Sequence, residues 1–216
     1  MSDQTPAVRR SRWPVAVLAV LAVVVALAGM FWIGRASVVG TVPGSTSADA
    51  GFLRDMQTHH AQAVEMAMLV RDRTDDPELR AIAYDIATAQ AQQSGVMYGW
   101  LQQWGLDQYG EPMAWMQGGD GHSGHGATGS GGGEADATMP GMATRAQLAA
   151  LGAADGAEAE RLFLELMIAH HRGGVDMAEA AVRLATQPIV RGLAEKMIAV
   201  QTAEIDAMQQ LLAERR

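Results

Sequence analysis

Apolar residues recur every three or four positions in two stretches of the chain, about 49–104 and about 144–213. This spacing is typical of amphipathic helices, because residues three and four apart share one helix face. A turn signal interrupts each stretch at a proline, Pro77 in the first and Pro188 in the second. Proline is favoured in the first turn of a helix, so it marks where a second helix begins. Each stretch is therefore predicted to fold as a helical hairpin.

The two hairpins are copies of one another. Phe52–Leu101 aligns with Phe163–Leu212 at a constant offset of 111 residues, without a gap and with 14 identical positions. The identities include a His-His pair, three methionines and the turn proline, which indicates a duplication. Two such hairpins can bury their apolar stripes against each other, so the predicted fold is an all-α four-helix bundle. In the second copy, Asp155 and Glu158 match a capping box at the start of the helix.

The N-terminal part of the chain predicts a membrane anchor. Three arginines precede an uncharged run of 19 residues, which is enough to cross about 30 Å of hydrocarbon. Only one arginine follows the run, and this excess places the N-terminus in the cytoplasm. The predicted order is a cytoplasmic N-terminus at 1–13, a transmembrane helix at 14–34, a linker at 35–48 and an extracytoplasmic domain at 49–216. The alternative is a cleaved signal peptide, after which the domain is secreted.

Charge and cysteine content narrow the function classes. The chain has no cysteine, which excludes disulfides, thiolate metal sites and a cysteine nucleophile. Residues 36–216 hold 12 basic and 23 acidic residues, a net charge of −11, so nucleic acid is not an expected partner. The acidic balance is compatible with cation binding, and the membrane is an expected partner through the N-terminal helix. A second copy of the chain or another envelope protein is left open as a partner.

The six histidines occur in three pairs, two of which lie within the repeats. On a helix, Met56 shares a face with His59 and His60, because they lie three and four positions further on. Thioether sulfur suits Cu(I) and imidazole suits both oxidation states, so the pattern predicts a copper site. The predicted ligands are Met56, His59, His60, Met66 and Met97 in the first copy and Met167, His170, His171, Met177 and Met208 in the second.

A glycine-rich segment separates the hairpins, at about 105–143. Nine of the 16 residues from Gly118 to Gly133 are glycine, which predicts a flexible loop. The loop offers a second, looser set of copper ligands. The weaker metal candidates are His122, His125, Met139 and Met142 of this segment, together with Glu204 of the second copy.

Core packing is the alternative to metal binding. Methionine at helical spacing is more often a core side chain than a ligand. The paired histidines could instead form hydrogen bonds with Gln90, Gln201 or Glu204 inside the bundle, because buried polar groups need partners.

Two strings resemble a known family. They are FLELMIAHHRGGVDMA at 163–178 and MPGM at 139–142, and with the duplicated His-His they resemble the bacterial "domain of unknown function 305" over about 50–212. The first copy departs from the family pattern at 57–62, where the family favours an apolar pair and a glycine. The resemblance implies a ferritin-like four-helix bundle, and it implies copper binding and copper resistance outside the cytoplasm for some members.

Three functions follow from these patterns. The leading hypothesis is an extracytoplasmic metal-binding protein that buffers copper or hands it over. An envelope interaction module without metal is the second hypothesis, and a ferritin-like metal oxidase is the third. Ferritin-like oxidases use Glu-x-x-His motifs, and the sequence contains none, so an enzymatic role is not favoured.

Overall fold

The structure, a computed structural model, describes residues 23–31, 42–116 and 139–215. The chain divides into two compact units, Met1–Val42 and Pro43–Arg216. The histidine pairs of both repeats fall in the second unit. The glycine-rich stretch with the third histidine pair lies outside the described residues.

The first unit is described only in part. Residues 23–31 form a helix whose side chains are exposed. No helix in the described part of the chain is long and apolar enough to cross a membrane. The rest of the predicted transmembrane segment 14–34 lies outside the described residues, as does 1–13.

The second unit is built from helices. Its described residues contain no strand, which confirms the predicted all-α class. In chain order the elements are α1 (Ala48–Arg71), α2 (Pro77–Gln103), a 3-10 turn (Ala114–Met116), α3 (Arg145–Ala153), α4 (Gly156–Leu184) and α5 (Pro188–Glu214). α1 packs against α2 and α4 against α5, so each copy of the repeat is a helical hairpin. α1 also packs against α4, which joins the two hairpins.

Local capping signals fix where two of the helices begin. The Asp76 side chain accepts hydrogen bonds from the first backbone N–H groups of α2, and Pro77 occupies the first turn. A capping box forms at α3, where the Thr144 and Gln147 side chains each accept from the other's backbone N–H. These polar groups satisfy N–H groups that have no partner inside the helix.

The capping box predicted at Asp155 is wrong. Asp155 precedes α4, but its side chain makes no capping hydrogen bond. The next residue, Gly156, has φ +54° and donates its N–H to the Arg73 carbonyl oxygen at 2.8 Å. This contact with the first hairpin sets how the chain enters α4, so a local sequence motif could not predict it.

Two apolar clusters fill the core, and each contains residues from all four long helices. The methionine-rich cluster buries Met56, Met97, Met139, Met177 and Met197. The methionine-poor cluster buries Met66, Met167 and Met208. The first joins the N-terminal half of α1 to the C-terminal half of α4, and the second joins the opposite halves. α1 and α4 therefore run antiparallel.

Equivalent acidic residues tie each hairpin to the turn of the other. Asp49 is fully buried and accepts hydrogen bonds from the Thr186 and Gln187 backbone N–H groups at 3.1 and 2.8 Å. Glu160, its counterpart 111 residues later, accepts from the Thr74 hydroxyl at 2.5 Å. The duplication is thus expressed as an approximate two-fold relation between the hairpins.

A short segment after the glycine-rich stretch is held between α1 and α4. The Gln62 side-chain amide donates to the Ala143 carbonyl oxygen and accepts from its N–H, at 2.9 and 2.7 Å. On the other side, a Cβ on Gly173 would lie 2.0 Å from the Pro140 carbonyl oxygen. Only glycine at 173 allows this approach, which holds the Met139–Ala143 segment against the middle of the bundle.

Replacing Gly173 by Ala is expected to lower the free energy of unfolding by about 1–3 kcal/mol, the usual cost of overpacking. The cause is the collision of the new Cβ with the Pro140 backbone. Gly192→Ala is the matched control, since nothing lies within 4 Å of a Cβ there, and it should stabilise the helix by up to about 1 kcal/mol. Urea unfolding followed by circular dichroism gives both values. Equal stability of the two variants would contradict the assigned packing.

Candidate metal centre

Four histidines meet where α1 packs against α4. His59, His60, His170 and His171 are all fully buried. The His59 and His170 rings stack with centroids 3.7 Å apart and an interplanar angle of 32°. This pair lies between the two apolar clusters, because α1 and α4 pass each other at equivalent positions of the repeat.

Every one of these imidazoles uses its Nε2 atom in a hydrogen bond to oxygen. His59 Nε2 lies 3.1 Å from the Pro140 carbonyl oxygen, and His170 Nε2 lies 3.0 Å from the His59 carbonyl oxygen. His60 Nε2 lies 2.8 Å from the side-chain oxygen of Gln93. Oxygens of this kind only accept hydrogen bonds, so Nε2 carries the proton in each ring.

The fourth histidine follows the same rule with a charged acceptor. His171 Nε2 lies 2.7 Å from a carboxylate oxygen of Glu204. Glu204 is the counterpart of Gln93 at the 111-residue offset, so the two copies use the same position for the same purpose. The prediction placed Glu204 among weaker metal ligands, and the structure shows it hydrogen-bonded to His171.

The Nδ1 atoms of all four histidines are buried and have no hydrogen-bond partner within the described residues. A neutral imidazole protonated on Nε2 carries a free lone pair on Nδ1. Buried polar atoms normally have partners, so four unpartnered Nδ1 atoms in one region are unusual. The side-chain oxygens of Gln90 and Gln201 are likewise buried without a partner. The centre therefore offers electron-pair donors to a cation.

Burial keeps three of the rings neutral, those of His59, His60 and His170. Burial lowers the pKa of His59 to about 4, against a smaller raising effect of its hydrogen bond to Pro140. Burial also lowers the pKa of His60 to about 3 and the pKa of His170 well below its ordinary value. Neighbouring histidines lower all three further, because protonating one ring disfavours charge on the others. At neutral pH no proton competes with a metal for the Nδ1 atoms of these three rings.

The predicted methionine ligands are all fully buried. Each apolar cluster combines methionines from both copies of the repeat. Met56 and Met97 of the first hairpin share a cluster with Met177 of the second. Met66 of the first hairpin shares the other cluster with Met167 and Met208 of the second. This grouping of methionines from both copies follows from the antiparallel packing of α1 on α4. The sequence repeat by itself does not predict it.

The candidate donors at the centre are mainly imidazole nitrogens and thioether sulfurs. No group of three or more His, Cys, Asp or Glu side chains within 23–31, 42–116 and 139–215 is arranged to hold a metal ion. A metal site in this part of the chain would need donors of another type beside imidazole, and the buried thioethers of the two apolar clusters are candidates. That combination fits soft cations such as Cu(I), and imidazole also accepts Cu(II).

The weaker candidates divide into two groups. His122 and His125 lie outside the described residues. Met139 is buried in the methionine-rich cluster, and Met142 is half-buried against it. Their segment reaches the histidines through Pro140, whose carbonyl oxygen faces His59.

Sequence reasoning missed the residues that hold this segment in place. Gln62 lies three positions after His59, on the same face of α1, and Gly173 follows the second His-His pair closely. The helical position of Gln62 and the Gly-Gly after His171 were the available signals. Neither signal specifies which distant backbone segment would fill the space.

The metal-free protein is expected to lose stability as the pH falls below about 6.5, before ordinary carboxylates begin to titrate. The pKa values of His59 and His60 are about 4 and about 3 in the fold but near 6.5 when unfolded. Below pH 6.5 the unfolded chain therefore binds protons that the folded chain does not. Each such histidine lowers the free energy of unfolding by about 1.4 kcal/mol per pH unit in this window.

Urea unfolding at pH 6.5, 6.0, 5.5 and 5.0 measures this slope. His60→Gln removes one titrating ring, so its slope should be smaller by about 1.4 kcal/mol per pH unit. A free energy of unfolding that stays constant over this window would contradict the buried, neutral state of the centre.

Several solved structures are similar to most of this chain. A DUF305 protein from Streptomyces coelicolor, whose description proposes that it is secreted, is 48% identical, with a TM-score of 0.69 over 80% of this chain and 96% of its own. A DUF305 fragment from Deinococcus radiodurans is 31% identical, with a TM-score of 0.62 over 80% of this chain and 99% of its own. CopM in its Cu(II)-bound form is 27% identical, with a TM-score of 0.57 over 79% of this chain and 98% of its own. No curated protein sequence matches significantly.

The family resemblance predicted from the sequence is confirmed. The sequence profile called "Domain of unknown function (DUF305)" matches residues 49–212. This range contains both hairpins and the segment between them. The chain belongs to the DUF305 family.

Proposed function

We propose that this protein binds copper outside the cytoplasm and buffers it or hands it over to another protein. One observation carries the proposal: four buried histidines leave their Nδ1 atoms without a hydrogen-bond partner in the described residues, between two methionine-containing clusters. The copper ion is cargo in this proposal, so no reaction step is required of the protein. The proposed ligands are drawn from the Nδ1 atoms of these histidines and the thioethers of Met56 and Met167, with fewer than three histidines at any one copper ion.

The chemistry of the donors supports copper over other metals. Thioether sulfur is a soft ligand that suits Cu(I), whereas zinc takes thiolate, imidazole or carboxylate ligands and calcium takes oxygens, so the methionines are what favours copper. Imidazole accepts either oxidation state of copper. The CopM structures support the same choice, since they are Cu(II)-bound and Cu(I)-bound forms of a relative that is 27% and 26% identical.

The hydrogen bonds of the Nε2 atoms prepare the rings for this role. A metal-bound histidine usually donates its other N–H to an oxygen, which fixes the tautomer and the ring orientation. All four histidines already have such an acceptor in the fold. Binding through Nδ1 would therefore break none of these hydrogen bonds, and little reorganisation of the rings would be needed.

The cellular location and the detailed bundle type form part of the proposal. The description of the Streptomyces coelicolor relative as secreted supports export of this domain. The uncharged N-terminal run supports either a membrane anchor or a cleaved signal. Two antiparallel hairpins sharing one core support the ferritin-like four-helix arrangement.

Copper stoichiometry of the full-length protein tests the function. In the key variant, His59, His60, His170 and His171 are all replaced by Gln, which can keep an N–H donor near the Nε2 position but lacks Nδ1. After anaerobic loading with Cu(I) and removal of free metal, the wild type should retain at least one copper per chain. The variant should lose it while remaining helical by circular dichroism.

The matched control replaces His122 and His125 by Gln, which removes two histidines outside the proposed centre. This control should keep the copper that the four-fold variant loses. A folded four-fold variant that retains as much copper as the wild type would overturn the assignment of the ligands. A wild-type protein that retains none would overturn the function itself.

A further inference from the structure

The repeat places two equivalent side-chain sets on either side of the histidine stack. In each set a methionine precedes a histidine by four residues on one helix, and a polar residue precedes a second methionine by four residues on the facing helix. The first set is Met56, His60, Gln93 and Met97, and the second is Met167, His171, Glu204 and Met208. Their methionines and histidines are all fully buried.

The two sets differ in one charge. The acceptor for His60 Nε2 is the neutral amide oxygen of Gln93, at 2.8 Å. The acceptor for His171 Nε2 is the Glu204 carboxylate, at 2.7 Å. A carboxylate that accepts from one ring nitrogen makes the other nitrogen a stronger donor. It also places a negative charge close to any cation bound there, which favours a dication over a monocation.

The two sets also differ in the number of soft thioether groups that surround them. Three further half-buried methionines pack against the methionine-rich cluster, which contains Met56 and Met97. They are Met113, Met116 and Met142, and they come from the segment between the repeats. Within the described residues this cluster has eight methionines, whereas the cluster around Met167 and Met208 has three.

Specific contacts fix these additional methionines beside the first set. Asp55 accepts hydrogen bonds from the Met113 backbone N–H and from the Trp115 ring N–H, both at 2.8 Å. One turn further along α1, His59 and Gln62 hold the segment that carries Met142. The two segments thus lie against the stretch of α1 that contains Met56. The second copy has no equivalent of them, because they belong to neither repeat.

We infer that the two sets take different oxidation states of copper: the first set, with Gln93 and the surrounding thioethers, takes Cu(I), and the second set, with His171 and Glu204, takes Cu(II). This inference rests on the proposed function. Soft thioethers and a neutral environment suit the monocation, while a nitrogen donor backed by a carboxylate suits the dication. Glu204 acts as a positioning residue through His171 and need not touch the metal.

Reciprocal exchange of the two acceptors tests the inference in the full-length protein. Both exchanges are made in a background with His122 and His125 replaced by Gln, so that these residues contribute no copper signal. Glu204→Gln should weaken Cu(II) binding by about 10–100-fold, the usual effect of removing a residue that orients a ligand. Gln93→Glu should create a second Cu(II) site, visible as a second signal in electron paramagnetic resonance. Competition with chelators of known affinity gives the constants for Cu(I) and Cu(II).

A methionine variant supplies an independent readout. Met113, Met116 and Met142 are replaced together by Leu, which keeps most of the apolar volume. Cu(I) affinity should fall and Cu(II) affinity should stay unchanged. Met68→Leu is the control, because Met68 is 47% exposed and belongs to neither cluster.

The outcomes separate this inference from the function on which it rests. If the wild type binds neither ion, the proposed copper function fails. If the wild type binds copper but the acceptor exchanges leave both affinities within about threefold, the inference fails and the function stands. Loss of Cu(I) affinity in Glu204→Gln, with Cu(II) affinity unchanged, would reverse the assignment of the two sets.

Discussion

The structure depends on accommodating four fully buried imidazoles between the two apolar clusters of the core. Each ring meets this constraint with one hydrogen bond from Nε2 to oxygen, and two of the four oxygens are backbone carbonyls. The stacked pair, His59 and His170, lies on the helices that join the hairpins. The residues that stabilise the centre are therefore the same residues that join the two copies. Copper that binds the folded chain preferentially would stabilise it by mass action.

Most of this arrangement follows the duplication, and the remainder comes from segments that lie between the two repeats. The acids at the start of α1 and α4, the four histidines and six core methionines all follow the 111-residue offset. The segments around Trp115 and Pro140 do not, since they lie between the repeats. They pack along α1 and close one side of the centre more completely than the other. A symmetric pair of hairpins thereby becomes a protein with two chemically distinct ends.

The prediction from sequence was correct wherever one local rule sufficed. Helical periodicity and the prolines predicted the hairpin helices, and the His-His pairs with their surrounding strings predicted the DUF305 family. The prediction failed at Asp155, where a contact between hairpins overrides the capping motif. It also gave no reason to group Met66 with Met167, because their proximity depends on the direction in which α1 and α4 pack.

By itself, the sequence determined the helices, the duplication and the helix face on which the histidines lie, because helix geometry fixes neighbours three and four residues apart. Tertiary structure alone decided which nitrogen of each ring is free. That choice depends on oxygens supplied by Pro140, Gln93 and Glu204, which are 33 or more residues from the rings they contact. Whether a buried histidine can donate electrons to a metal is set by these long-range contacts, and no local pattern along the chain encodes them.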